Sequence, residues 1–111
     1  MLAIPSAMKV WVAASGVDMR KGSCNLAAMV QKDFKLDPKN SHLFVFFSQN
    51  GKKVKSLYWD RNGFALWYKS LSDGRFRPPR ISGKPYCISI SDLTLLLEGI
   101  DLNHLQRSNA V

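Results

Sequence analysis

Arg75, Arg77 and Arg80 flank Pro78-Pro79 in the stretch "RFRPPRISGKP". Guanidinium forks on a proline-stiffened loop suit phosphate oxygens, because each fork can donate two parallel hydrogen bonds. Lys52, Lys53, Lys55, Arg61 and Lys69 lie upstream, and Lys84 follows. Residues 52–84 carry nine Lys or Arg against Asp60 and Asp73, a net +7; residues 1–51 carry +3 and residues 85–111 carry −2. The chain's +8 and its pI of 9.8 therefore belong to one third of its length. Charge focused in this way favours a polyanionic partner, nucleic acid first. The plainer reading is a solvated basic face that keeps the protein soluble.

A second candidate is "DMRKG", Asp18 to Gly22, between a predicted strand and a predicted helix. If the helix begins near Ser23, Arg20, Lys21 and the free backbone N–H groups can hold one phosphate. The competing arrangement pairs Asp18 with Arg20 or Lys21 and leaves Gly22 to ease the turn. The expected nucleic-acid contacts are Arg20, Lys21, Lys52, Lys53, Lys55, Arg61, Lys69, Arg75, Arg77 and Arg80. No recognition helix carries the charge, so the expected sequence preference is weak.

Catalysis has little to work with. Asp18, Asp60, Asp73, Asp92 and Asp101 form no metal-binding loop pattern, and Asp60 and Asp73 fall at turns, where Asp is locally favoured. His42 and His104 are isolated, there is no P-loop, and Cys24 and Cys87 make no C-x-x-C pair. The cysteines read as buried thiols in a reducing cytoplasm, with a disulfide left open. The expectation is a non-enzyme without cofactor or metal.

The elements that must carry these residues follow from pattern. "KVWVA" alternates and reads as a strand over 9–13. Leu26, Met29, Val30 and Phe34 have helical spacing over 23–36, with Asp37-Pro38 as the stop. "HLFVFF" is apolar on both parities, as a strand buried on both faces would be. Asn50-Gly51 and Asp60 to Gly63 are turn signals around strands 54–59 and 64–71. "YCISI" reads as a strand, Ser91 as an N-cap, and Leu93, Leu96 and Leu97 as one helical face stopped by Gly99. The expected class is α+β: an antiparallel β-meander with one helix in the N-terminal half and a short C-terminal helix. At 111 residues one domain is expected, over 1–104, with a frayed tail at 105–111. No apolar run spans a membrane, and the N-terminal segment reads as mature protein rather than a signal peptide.

The hairpin 54–71 carries large apolar groups on both faces. Either its rings are ordinary core, with Trp59 and Trp67 as cross-strand partners, or some form a basic stacking platform for bases. Most read as core. Past the last helix, Ile100, Leu102 and Leu105 continue an apolar pattern. Leu102 and Leu105 are the expected protein-docking residues, for a partner protein or a second copy, unless Leu93, Leu96 and Leu97 simply close the core.

Three blocks, "VWVAASGVDMRKG", "LFVFFSQNGKKVKSLYWDRNGFALWYKSLSDGRF" and "LLLEGID", together resemble the TnpB-type accessory proteins of IS sixty-six family insertion sequences. The resemblance covers about Pro5 to Asp101. The family's motif residues map onto Asp18 to Gly22, Trp59, Asp60, Gly63, Trp67 to Lys69, Gly74 to Phe76, and Glu98 to Asp101. The chain departs after Gly22, where the family has an aromatic, an acid and a glycine and this chain has Ser23, Cys24 and Asn25. The resemblance implies a role in bacterial transposition; the expected location is the cytoplasm, with association to the nucleoid left open. The implied partners are a separate transposase and a further accessory protein of the same element; DNA is the partner expected from the charge, and a homodimer is left open.

Overall fold

The computed structural model describes residues 8–79 and 83–99. Five strands form one sheet in the order β4-β3-β2-β1-β5. They are β1 (Val10–Val12), β2 (Leu43–Phe47), β3 (Lys53–Asp60), β4 (Gly63–Ser70) and β5 (Tyr86–Ile88). Helix α1 (Ser23–Met29) runs into a π-helical turn, Val30–Phe34, and α2 (Ile90–Leu97) follows β5. The class is α+β, as expected, and β2, β3 and β4 form the antiparallel meander. The sheet is mixed, however, because β1 pairs in parallel with β2. The physical reason is the connection: the helical crossover carries the chain back along the sheet before β2 begins, which lets β2 run in the same direction as β1, where a tight turn would have reversed it.

The sheet lies between the two helices. On β2, "LFVFF" is buried throughout, because alternate side chains enter opposite layers. Phe44 and Phe46 join Val17, Leu26, Ala27, Val30 and Leu57 on the α1 side. Leu43, Val45 and Phe47 join Val10, Val12, Val54, Ile88, Leu93 and Leu96 on the α2 side. Each fully buried ring or leucine removes enough apolar surface for about 1.5–3 kcal/mol, so this strand dominates the packing.

Both helices depart from their expected limits. The helix expected to reach residue 36 widens at Val30, and Lys35 takes a left-handed φ of 57° that ends it before Asp37-Pro38. The wider turn brings the Phe34 ring edge-on to Phe44 and Phe46, with centroids 5.5 and 5.8 Å away. At α2 the N-cap is Ser89, not Ser91: the Ser89 hydroxyl accepts from Asp92 N–H at 3.0 Å. The strand before it therefore ends at Ile88. Gly99 follows with φ 87°, the left-handed position expected of a helix stop. Both cysteines are exposed, against the expectation of buried thiols, because Cys24 lies on the outer side of the short α1 and Cys87 on an edge strand.

Candidate nucleic-acid interface

The β2–β3 connection is built by its own side chains. Ser48 Oγ donates to Asn50 Oδ1 at 2.8 Å and accepts from Lys53 N–H at 3.0 Å. Asn50 Oδ1 also accepts from Lys52 N–H at 3.0 Å. Gly51 closes the turn with φ 75°. This ordered turn presents Lys52 and Lys53 at the start of β3, both exposed.

The arginine segment is fastened to the same turn. Phe76 N–H donates to Gly51 O at 2.7 Å, and Leu71 N–H donates to Lys52 O at 2.8 Å. The Phe76 side chain is 3% exposed and packs on Phe47, with centroids 5.5 Å apart. Arg75 and Arg77, on either side of it, are exposed. One buried ring thus anchors two free guanidinium groups. Sequence reasoning missed this role of Phe76; its signal was an aromatic between two arginines.

Between these segments lies a cleft of about 240 Å³, walled by the stretch Ala13–Gly16, the turn and residues 75–79. Gly16 makes the wall possible. A β-carbon there would lie 2.5 Å from Gln49 Cα, so only glycine lets the two backbones pass this close. Val17 N–H completes the contact, donating to Phe47 O at 2.9 Å.

Other expected contact residues are engaged elsewhere. Lys55 points to the α1 side, where Nζ donates to Met19 O at 2.7 Å and Lys21 O at 2.9 Å. It ties the loop 18–22 to the sheet. Lys69 points to the α2 side and donates to Leu97 O at 3.2 Å, at the helix's negative C-terminal end. Arg20 forms a fork with Asp18, whose Oδ2 lies 2.7 Å from Nη2 and whose Oδ1 lies 3.1 Å from Nε. That hydrogen bonding, with the charge of Arg20, holds the Asp18 carboxyl well below the usual carboxylate range. The Asp18–Arg20 arrangement is the one present, and Lys21 makes no ion pair among the described residues. Arg61, in a left-handed conformation with φ 55°, sits at the far tip of the β3–β4 hairpin, 3.7 Å from Asp60. Arg80, Leu102, Leu105 and the tail 105–111 lie outside the described residues.

The hairpin rings are not buried core: Tyr58, Trp67 and Phe64 are half-buried and pack on the edge of the two core layers, and Trp59 is half-buried outside them. Trp59 and Trp67 are not cross-strand partners: they stand on opposite faces, Trp59 opposite Phe64 and Trp67 opposite Ser56. Their positions differ by an even number, but the two-residue hairpin loop pairs residues whose numbers sum to an odd value. Phe64 packs edge-on to Trp59 at 5.0 Å, and Lys39 Nζ sits 4.9 Å from the Trp59 ring centre. Among the described large apolar residues Tyr68 is the exposed one, at 48%.

Among the described residues, the ion pairs are Arg20–Asp18 and Arg61–Asp60. Lys52, Lys53, Arg75 and Arg77 therefore face solvent around one end of the sheet without a carboxylate partner. No group of three or more His, Cys, Asp or Glu placed to hold a metal occurs among the described residues. No helix among them is long and apolar enough to cross a membrane.

A family model described as IS66 Orf2 like protein matches residues 8–107. Two proteins of Sinorhizobium fredii are similar over most of their length. Uncharacterized protein y4hO is 40% identical over 101 residues, covering 91% of this chain and 88% of that protein. Uncharacterized protein y4jC is 30% identical over 100 residues, covering 90% and 86%. No solved structure matches the chain.

Proposed function

We propose that this chain, which belongs to the IS66 Orf2-like family of insertion-sequence proteins, is an accessory factor that grips DNA phosphates with the basic end of its sheet. It acts in the bacterial cytoplasm beside a separate transposase that performs the strand chemistry. The observation that carries this reading is the set Lys52, Lys53, Arg75 and Arg77. They are exposed, held by a hydrogen-bonded turn and a buried ring, and free of carboxylates among the described residues. Lysines and arginines displayed on a rigid mount position a duplex without reading its bases. The reading includes no catalytic step.

The test is fluorescence anisotropy with labelled element-end DNA, random duplex and single strand. Comparable affinities for the two duplexes, weakened together in the Arg75→Gln/Arg77→Gln double variant, are expected. Absence of binding to all three at low salt would leave a protein-docking adaptor, centred on Leu102 and Leu105, as the function to pursue.

A further inference from the structure

β4 is an edge strand of eight residues, whereas the opposite edge, β5, has three. Exposed sheet edges are normally blunted by shortness, proline, a bulge or charge. β5 is short. β4 has none of these protections. Its register with β3 runs unbroken from Lys53↔Ser70 to Asp60↔Gly63, and "GFALWYKS" contains no proline. Its one charge, Lys69, donates inward to Leu97 O.

The hydrogen-bond parity of this edge is fixed. Leu71 N–H donates to Lys52 O, so odd-numbered β4 residues turn their backbone groups toward β3. Phe64, Leu66, Tyr68 and Ser70 then direct N–H and C=O out of the sheet. Their side chains share the α1 face, and all are at least partly exposed.

We propose that this edge pairs with the β4 edge of a second copy of the chain, antiparallel, about a two-fold axis at Leu66. Leu66 then faces the partner's Leu66 and Phe64 faces the partner's Tyr68, both as hydrogen-bonded pairs. On the other face Ala65 stands opposite the partner's Trp67. In this register every outward amide finds a carbonyl, a large ring meets a large ring, a small side chain meets Trp67, and Lys69 meets a glycine. Charge selects the direction. Parallel pairing would set two basic ends side by side. Antiparallel pairing separates them by a strand of eight residues, on the order of 25 Å at about 3.4 Å per residue, well beyond a screening length of about 8 Å in physiological salt. The pairing stands whether or not the basic end binds DNA.

The test is sedimentation velocity of the full chain across a concentration series, with amide hydrogen exchange read at Leu66 and Tyr68. A monomer–dimer equilibrium is expected, with protection of those two amides rising with protein concentration. Tyr68→Pro removes an outward N–H and leaves the β3 ladder intact, so it should abolish the dimer. Tyr68→Lys, which sets a charge opposite the partner's Phe64, serves if the proline variant does not fold. A monomer at every concentration, or a dimer unchanged in a folded Tyr68 variant, overturns the proposal. So does protection of Leu66 and Tyr68 that is independent of concentration, which would mean that the chain's own segment covers the edge.

Discussion

The ring of Phe76 packs on Phe47 at 5.5 Å between centroids, and this contact bolts the arginine segment to the central strand. Phe47 closes β2, the strand buried on both faces. Arg75 and Arg77 are therefore mounted on the most fully buried strand of the sheet, although they belong to no regular element.

Phe76→Ala separates charge from mounting. It should destabilise the fold by about 3–5 kcal/mol, the usual loss for emptying a buried aromatic site. It should also weaken DNA binding at a temperature where the variant is still folded, with every cation retained. Urea denaturation and anisotropy on the same preparation check both outcomes. Affinity equal to that of the unsubstituted protein would show that the arginines need no mount.

Lys55→Met should behave in the opposite way. The variant keeps the aliphatic stem but leaves the carbonyls of Met19 and Lys21 without their donor. A loss of about 1–3 kcal/mol is expected, measured as a shift in the denaturation midpoint, with little change in DNA affinity. Unchanged stability with a clear loss of affinity would return Lys55 to the phosphate contacts.

Gly16→Ala tests the cleft wall. The added β-carbon meets the Gln49 backbone, which cannot swing aside as a flexible side-chain tip would. A cost of about 1–3 kcal/mol is expected from overpacking, measured by thermal unfolding. A variant as stable as the parent would mean that the two segments separate freely.

Asp18 predicts an acid-side effect. Its carboxyl is held below the ordinary value of 3.8 by Arg20, so the unfolded chain takes up that proton first as pH falls. The pair's stabilisation is present above about pH 4 and is lost progressively below it. Asp18 is on the surface, so the effect should be small. Denaturation midpoints measured from about pH 5 down to about pH 2 should fall less in Asp18→Asn than in the parent. Identical slopes would mean that the fork does not persist in solution.

Strands and turns were largely legible in the sequence because alternation and Gly or Asn punctuation are local signals. β2 announced its double burial through five apolar residues in a row. The parallel β1–β2 pair was less visible, since it depends on where a crossover helix returns the chain. The caps slipped by two residues at Ser89 because two serines flank Ile90 and local sequence offers both. For the candidate site, charge density located the basic third of the chain but not which cations stay free. Lys55 and Lys69 look like Lys52 and Lys53 in sequence. What separates them is tertiary: a carbonyl from the loop 18–22 and one from the end of α2 lie within reach.

The salt dependence of duplex DNA binding tests the central claim most directly. For the parent protein, the logarithm of the binding constant should fall linearly with the logarithm of salt concentration. The Arg75→Gln/Arg77→Gln variant should bind more weakly, with a slope shallower by about 1.8, two phosphate contacts at about 0.9 each. A slope unchanged by removing both arginines, or no salt-sensitive binding in the parent, would contradict the claim that this end of the sheet grips DNA.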